Sequence, residues 1–219
     1  MFGRWHWCAL VMPAMVVVLA ACGGAAASSS SGSAPHFSIG SAVSRTPSAA
    51  GHAGAAAPAT PGLVPSTVSA DDIQAFLDAH NARRAKYNET PLTWSAALAS
   101  LAQDWSNQMA QTGNFDHRPN NNEGENIFSG TGTYSPKDVV DAWGNEVSNF
   151  HADSNTCDPN AECGHFTQIV WATTTTVGCG SATAADGTVY WTCNYDPPGN
   201  FTGIGPFDAA AQQQALGGM

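Results

Sequence analysis

The run from Cys163 to Trp171, with the sequence Cys-Gly-His-Phe-Thr-Gln-Ile-Val-Trp, is the densest group of strand-forming residues in the chain. Side chains alternate across a strand, so His165 shares one face with Ile169 and Trp171. Both faces carry apolar side chains, which predicts a strand covered by a layer on each side. A histidine on such a strand is either a hydrogen-bonded core residue or part of a functional site, and the run alone leaves both open.

Charge is distributed unevenly along the 219 residues. No acidic residue precedes Asp71, and residues 71–219 carry 17 acidic and five basic side chains, a formal charge of −12. This composition argues against nucleic acid as a partner, because nucleic-acid binding needs a basic surface. It also argues against electrostatic docking on anionic lipid. We expect one acidic domain after residue 70, since about 130–150 residues can build a core of their own.

The first 22 residues predict an export signal. Arg4 is their only charged side chain, and the apolar run from Ala9 to Ala21 is too short to span a bilayer. The small residues directly before Cys22 are typical of a bacterial lipobox, in which the cysteine is lipidated. Cleavage at an Ala-x-Ala-like site, which would release a free protein, is the alternative. We favour the lipoprotein, with Cys22 as the lipidation site and the lipid as the only contact with a membrane.

Residues 23–69 consist mainly of Ala, Ser, Gly, Pro and Thr. A segment of this composition buries too little apolar surface to offset its chain entropy, so it predicts a disordered low-complexity linker. The folded domain is then expected over residues 70–203. Residues 204–219 show no clear hydrophobic pattern and are expected to form a loose C-terminal tail.

Two helices are predicted at the start of the domain. Ser69 with Asp72 resembles a capping box, and the apolar spacing that follows predicts a helix that ends before Pro91. We expect His80, in the middle of this stripe, to be a packed and hydrogen-bonded core residue. A second helix is predicted over residues 95–112, where a glycine follows as its stop.

A third helix is predicted to start at Ser135 and Pro136. Its buried stripe comprises Val139, Val140, Trp143, Val147 and Phe150. On a helical wheel Glu146 lies about 20° from Val139, within or beside this stripe. A carboxylate there is costly unless a partner satisfies it. The alternative is a glutamate at the helix edge that reaches water along its stem.

Two further strands are predicted at Thr176–Gly180 and Thr188–Tyr195, joined by a turn at Asp186 and Gly187. Both segments are short and rich in β-branched and aromatic residues, and an Asp-Gly pair is a strong turn signal. A hairpin is therefore expected near the end of the domain.

Two histidines and two glutamates stand out as a candidate site: His117, Glu125, Glu146 and His165. The first two lie in residues 114–134, which Gly, Asn and Pro dominate and which predict an irregular segment. If the four converge, imidazole nitrogens and carboxylate oxygens suit a divalent cation such as zinc. They suit a hydrogen-bonded His–Glu network without a metal equally well, and spacing does not decide between the two.

Two longer motifs, Gly164–Trp171 (GHFTQIVW) and Cys193–Phe201 (CNYDPPGNF), resemble the signatures of the CAP superfamily. That superfamily includes cysteine-rich secretory proteins, insect venom antigen 5 and plant pathogenesis-related 1 proteins. Residues 80–83, 91–94 and 124–126 resemble further family segments, so the resemblance extends over residues 72–203.

The resemblance implies an α+β fold, a three-layer α-β-α sandwich with a central cleft. It also implies that His117, Glu125, Glu146 and His165 line this cleft, where some family members bind a divalent cation. Zinc is the metal that we expect there.

The resemblance bears on the cysteines as well. An even set of four near the end of the chain, after a secretion signal, indicates two disulfides. Cys157 and Cys163 match one complete pair of the plant proteins. Cys179 and Cys193 each lack their plant partner, and they lie on the two sides of the predicted turn. We therefore expect the bridges Cys157–Cys163 and Cys179–Cys193.

For function, the resemblance implies a binding module outside the cytoplasm, since some members bind sterols or other lipids and others bind protein partners. We expect a monomer without enzymatic activity, held at the cell envelope or secreted. A metal-dependent, protease-like hydrolase that uses the same cleft is the alternative, and a structural surface protein with a relic cleft is a third. Phe128 is either part of an apolar contact surface or packed in the core, and we expect packing.

Overall fold

The structure is a computed structural model that describes residues 37–39 and 64–218. The helices are α1 (Ala70–Arg84), α2 (Ala96–Thr112), α3 (Pro136–Gly144), α4 (Gly164–Ile169) and α5 (Ala209–Gly217). The strands are β1 (Phe37–Ile39), β2 (Thr93–Trp94), β3 (Gly124–Thr131), β4 (Phe150–His151), β5 (Thr156–Cys157), β6 (Thr176–Thr183) and β7 (Thr188–Asp196). Short 3₁₀ helices follow α1 at Ala85–Tyr87 and α3 at Asn145–Asn149.

The main sheet has the strand order β1-β3-β7-β6-β2 within the described residues. All neighbours pair antiparallel except β2, which runs parallel to β6. The predicted hairpin is confirmed as β6 and β7, and Gly187 in its turn adopts a φ of 86°, in the left-handed region. Strands β4 and β5 form a separate two-stranded sheet.

Helix α2 covers one face of the sheet at close range. Ser106 Oγ donates to Gly180 O at 3.0 Å, and Gln103 Nε2 donates to Ser181 O at 2.6 Å. A Cβ atom at Gly178 or Gly180 would collide with the backbone of α2. Glycine at these two positions therefore allows the helix to lie directly on β6.

The opposite face of the sheet packs against α1, α3 and α4, and this side holds the larger core. Its buried members include Phe76, Val139, Val140, Trp143, Phe166, Ile169, Trp191 and Tyr195. Phe128 belongs to the same cluster, and its ring contacts Tyr134 edge-on at a centroid distance of 4.8 Å. The expected packing role of Phe128 is confirmed, as is the α-β-α sandwich.

The strand predicted over Cys163–Trp171 is wrong, because Gly164–Ile169 form helix α4. Every residue from His165 to Ile169 is buried in that helix. Strand propensity mainly reflects how well a side chain fits a half-buried pleated surface, and tertiary packing overrides it. Here the donors at the start of the helix have a buried acceptor, Glu146, which the run itself does not contain.

The irregular structure predicted for residues 114–134 is wrong for Gly124–Thr131, which form β3. Seven of its eight residues are buried, so the strand shows no alternation of apolar and polar side chains. The loose C-terminal tail is wrong for Ala209–Gly217, which form α5. Gln212 anchors this helix, since its Nε2 donates to Gly205 O at 2.7 Å and its Oε1 accepts from Thr173 N at 2.9 Å.

Two parts of the predicted linker belong to the folded domain. Phe37–Ile39 form β1, and Ser66 Oγ donates to Cys179 O at 2.9 Å. The prediction of disorder is therefore wrong for these residues. The predicted signal segment 1–22, with Cys22, lies outside the described residues, as do residues 23–36 and 40–63 of the linker. No helix in the described part of the chain is long and apolar enough to cross a membrane.

Both predicted disulfides are confirmed. Cys179 and Cys193 are directly opposite each other on β6 and β7, and both are fully buried. Cys157 and Cys163 join β5 to the residue that precedes α4. The first bridge ties the two central strands, and the second fixes the approach of the chain to α4.

His80 is a packed, hydrogen-bonded core residue, as predicted. Its Nδ1 lies 2.8 Å from Phe76 O, and a carbonyl only accepts, so Nδ1 donates. Its Nε2 then accepts the hydroxyl proton of Tyr195 at 2.9 Å. Burial lowers the pKa of His80 from 6.5 to about 4, against the opposing effect of the Phe76 hydrogen bond and with a smaller lowering by Arg84.

We predict that, through His80, the free energy of unfolding decreases as the pH falls from 6.5 to about 4. Because the pKa of His80 in the folded protein is about 4 and its ordinary value is 6.5, the unfolded chain takes up the proton first as the pH falls through this window. The full shift corresponds to about 3 kcal/mol in the free energy of unfolding. Urea denaturation at several pH values measures the effect. The variant His80→Gln should lose this part of the pH dependence, and an unchanged slope in that variant would contradict the prediction.

Candidate functional site

The four predicted site residues form two His–Glu pairs near the start of β3. Glu125 is the second residue of β3, and His117 lies in the loop before it. Glu146 lies in the 3₁₀ helix that follows α3, and His165 is the second residue of α4. Both carboxylates are more than 90% buried, and His165 is fully buried. The structure joins the four candidates as the pairs His117–Glu125 and Glu146–His165, which spacing did not specify.

The first pair joins a loop to the sheet. His117 Nδ1 lies 2.8 Å from Glu125 Oε1, and a carboxylate only accepts, so Nδ1 carries the proton. The same oxygen accepts the backbone N–H of Arg118 at 2.9 Å. The other oxygen, Oε2, accepts from the side-chain amides of Asn121 at 3.3 Å and Asn194 at 3.5 Å. Glu125 therefore fixes both the loop and the orientation of the His117 ring.

The second pair joins the end of α3 to the start of α4. His165 Nδ1 donates to Glu146 Oε1 at 2.6 Å. Oε2 of the same carboxylate accepts the backbone N–H groups of His165 at 3.0 Å and Phe166 at 3.2 Å. The helical wheel placed Glu146 within or beside an apolar stripe, where a carboxylate needs hydrogen-bond donors. These three N–H groups are the donors. Helix α3 ends at Gly144, so Glu146 reaches this position from a 3₁₀ turn rather than from the α-helix itself.

The His165 ring has one nitrogen with no partner. Because Nδ1 donates to Glu146, Nε2 of the neutral ring carries a lone pair. That atom is buried and has no hydrogen-bond partner among the residues that the structure describes. The ring stacks on Trp143 at a centroid distance of 6.2 Å and an interplanar angle of 12°, and Asn126 Nδ2 donates to His165 O at 3.1 Å. A buried acceptor without a donor is destabilising and calls for an explanation in the function of the site.

Glu125 and Asn126 are consecutive residues of β3, and their side chains reach opposite faces of the sheet. Glu125 bonds to Asn194 on the α2 side of the sheet, whereas Asn126 bonds to Tyr195 and to His165 O on the other. Within residues 64–218, no group of three or more His, Cys, Asp or Glu side chains is close enough to hold a metal ion. The arrangement instead presents two imidazole rings, each oriented by a buried carboxylate through Nδ1.

Sequence reasoning did not identify Asn126 and Trp143 as parts of the site. Asn126 follows Glu125 directly. If β3 had been recognised as a strand, the alternation of side chains would have placed Asn126 on the face of the sheet opposite Glu125. Trp143 was assigned to the buried stripe of the third helix, and it is buried there. Its ring also stacks on that of His165. Its Nε1 donates to Ile127 O at 3.1 Å, so the same residue fixes β3.

A cavity of about 340 Å³ lies apart from the two pairs, beside the Cys157–Cys163 bridge. Its walls include Phe150, Thr167, Trp171, Asn200, Phe201 and Ile204. None of its lining residues in the described part of the chain is a lysine or an arginine.

Fold and site together define a class: a disulfide-bonded α-β-α sandwich with paired histidines and glutamates at the start of one strand. Disulfides persist in oxidising compartments, so the two bridges indicate a domain that functions outside the cytoplasm. The sequence profile described as "Cysteine-rich secretory protein family" (CAP) matches residues 77–195, more than half of the chain. The chain therefore belongs to the CAP family, and the resemblance of its motifs is confirmed.

Curated relatives include pathogenesis-related proteins. A PR-1 type pathogenesis-related protein of Sambucus nigra is 34% identical over 146 residues, which cover 66% of this chain and 87% of that protein. Pathogenesis-related protein 1C of Nicotiana tabacum is 40% identical over 135 residues, 61% of this chain and 80% of that protein.

Solved structures share the fold. BmVAL-1 superposes with a TM-score of 0.52 at 26% identity, over 64% of this chain and 82% of its own. NaASP2, determined with Zn²⁺, superposes with a TM-score of 0.53 at 23% identity, over 64% of this chain and 86% of its own. At these identities the likeness establishes a common architecture.

We predict that Glu146 is a major contributor to stability. Glu146→Ala leaves one ring N–H and two backbone N–H groups without an acceptor, so the free energy of unfolding should fall by about 3 kcal/mol or more. Glu146→Gln, which keeps an acceptor oxygen, should lose less. Chemical denaturation of both variants measures this. Asp153→Ala, at an exposed acidic residue, is the matched control and should change stability by less than about 0.5 kcal/mol. Equal losses in Glu146→Ala and Asp153→Ala would contradict the prediction.

Proposed function

We propose that the domain is an extracytoplasmic, non-enzymatic binding module whose two histidines hold a divalent cation, with zinc the preferred ion. The rings of His117 and His165 would bind the ion through Nε2, and Glu125 and Glu146 would orient the rings. The domain would act as a monomer on a lipid or a protein partner.

One observation carries this proposal: His165 Nε2 is a buried lone pair without a hydrogen-bond partner, on a ring whose other nitrogen is fixed by Glu146. Neutral imidazole is a common zinc ligand. A ligating histidine usually donates its other ring N–H to a carboxylate or carbonyl, which sets the tautomer and raises the basicity of the ligand. Glu146 and Glu125 both stand in that relation to their histidines.

In this proposal Glu125 and Glu146 orient the histidine rings and do not bind the ion themselves. As ligands, their oxygens would have to be available to the ion, but each carboxylate already accepts at least three hydrogen bonds. As orienting groups they need no rearrangement. The remaining coordination positions would then belong to water or to a bound partner, as in zinc sites that keep an open position. The solved structure of the family member NaASP2 with Zn²⁺ agrees with a cation in this fold.

Titration with Zn²⁺ tests the proposal. By calorimetry we expect one equivalent to bind, with affinity lost in His165→Gln and weakened about 10–100-fold in Glu146→Gln. Binding to the native state must also raise stability, by about 2.7 kcal/mol at a free zinc concentration of 100 Kd. His151→Gln is the matched control, because His151 is an exposed histidine paired with Asp158.

The control should bind zinc as the parent protein does. Equal loss in His151→Gln and His165→Gln would show that zinc binds non-specifically to imidazoles. Absence of binding to the parent protein, with a melting temperature unchanged by zinc or chelator, would leave the two pairs as hydrogen-bonded networks and overturn the proposal.

Metal-dependent hydrolysis in the same cleft is the second candidate. It is favoured by the same geometry, because two protein nitrogens leave coordination positions for a water molecule whose pKa zinc lowers to near 7. A serine nucleophile has no comparable support: Ser106 Oγ is buried and hydrogen-bonded to Gly180 O and Thr192 Oγ1. Turnover of a peptide and ester panel that requires zinc and is lost in His165→Gln would favour the hydrolase over the binding module.

We also propose that Cys22 is lipidated and anchors the exported protein to a membrane. The support is the sequence before Cys22, with small residues where a lipobox has them. In cells fed a labelled palmitate analogue, we expect the label on the parent protein and on Cys8→Ser, since Cys8 would be removed with the signal. Cys22→Ser should carry no label and should leave the membrane fraction. Label that persists in Cys22→Ser would refute the anchor.

A further inference from the structure

On the edge of β3 that faces away from β7, the backbone groups of Ile127, Ser129 and Thr131 need hydrogen-bond partners from outside the β3–β7 pair. Trp143 Nε1 donates to Ile127 O, and Tyr134 Oη donates to Thr131 O at 3.2 Å. Backbone groups of an antiparallel strand point alternately to its two sides. Ser129, midway between these two residues, therefore also directs its N–H and C=O away from β7. It is the one position of the three that no side chain of the domain closes in the described structure.

Strand β1 occupies this position. Its register pairs Phe37 with Gly130, Ser38 with Ser129 and Ile39 with Phe128. By the same alternation, Ser38 and Ser129 exchange the hydrogen bonds of the ladder. The three residues of β1 thus cover the gap between the Trp143 and Tyr134 contacts.

The sequence of β1 stands apart from its surroundings. Within residues 23–69, Phe37 is the only phenylalanine, tyrosine or tryptophan, and Ile39 is the only isoleucine. Both residue types favour strands, whereas the Ala, Ser, Gly and Pro around them do not. The segment that contains the phenylalanine and the isoleucine of the predicted linker is the segment that pairs with the sheet.

We propose that the β3 edge at Phe128–Gly130 is a strand-acceptor site and that its occupant is the Phe37–Ile39 segment of the same chain. An exposed strand edge is a template for pairing with another chain. Adding a strand from the linker in cis closes the edge and ties the linker to the domain. The site accepts a short extended segment through main-chain hydrogen bonds, as in recognition by β-strand addition.

Docking of β1 also shortens the largest distance that the linker allows between the domain and a membrane. This consequence, unlike docking itself, rests on the proposed lipid at Cys22. With β1 docked, the residues between Cys22 and the domain are 23–36, and 14 extended residues span at most about 50 Å. With β1 released, residues 23–63 span at most about 150 Å. The docked strand would thus keep the domain close to the surface that carries its anchor.

Hydrogen exchange at Ser129 tests the proposal. The full chain with Cys22→Ser is used, so that docking is measured without a lipid and independently of the anchor. Adding Ser38→Pro removes the N–H that pairs with Ser129. We expect the amide of Ser129 to exchange about tenfold faster in this variant, with no change at Cys193, which lies inside the sheet.

Ser44→Pro is the matched control, since it makes the same substitution in the linker outside β1, and it should leave Ser129 exchange unchanged. Equal exchange with and without Ser38→Pro would overturn the proposal, as would an equal effect of Ser44→Pro. Protection of Ser129 that rises with protein concentration would also overturn it, because the strand would then come from a second copy.

Discussion

The carboxylate of Glu146 is the interaction on which both the local fold and the site depend. It accepts the first backbone N–H groups of α4 and the ring N–H of His165 in a region that is more than 90% buried. Removing a buried charge from water is strongly unfavourable unless several donors replace the solvent, and here three do so. The same bonds start the helix, fix the tautomer of His165 and direct its second nitrogen toward the interior. Local structure and chemical capacity are therefore set by one group.

The need for these donors was visible in the sequence, but their identity was not. The helical wheel placed Glu146 within or beside an apolar stripe, where a buried carboxylate needs a partner, and the structure buries it. The donors lie about 20 residues further on, in a run whose composition favours a strand. Such a run becomes the short helix α4 because a distant carboxylate accepts its first N–H groups and because packing surrounds it on all sides. Propensity describes residues one at a time and carries no information about such a contact.

Strand β3 was missed for a related reason. Its residues Gly124–Gly130 are buried on both faces, so no alternation marks them, and Gly, Asn and Ser serve packing and hydrogen bonding rather than strand propensity. Recognition of the family motifs still marked Glu125 as a candidate site residue, because a motif records the outcome of tertiary contacts that periodicity does not reveal. The hairpin β6–β7, its cross-strand disulfide and the caps of the first three helices were predictable, since each follows from residues near one another in sequence or across one turn. The pairing of Cys157 with Cys163 came from the family resemblance.

The difference between the two pairs explains why a binding role fits the site better than a purely structural one. At Glu125, the carboxylate holds a loop to the sheet, and hydrogen bonding alone accounts for its burial. At Glu146, hydrogen bonding accounts for the carboxylate but not for His165, whose Nε2 is buried without a donor although a core histidine such as His80 uses both nitrogens. The same fold therefore satisfies one buried imidazole completely and leaves another half satisfied. That asymmetry has a physical reason if the free lone pair of His165 serves a ligand from outside the chain, and the unmet acceptor then becomes a source of affinity.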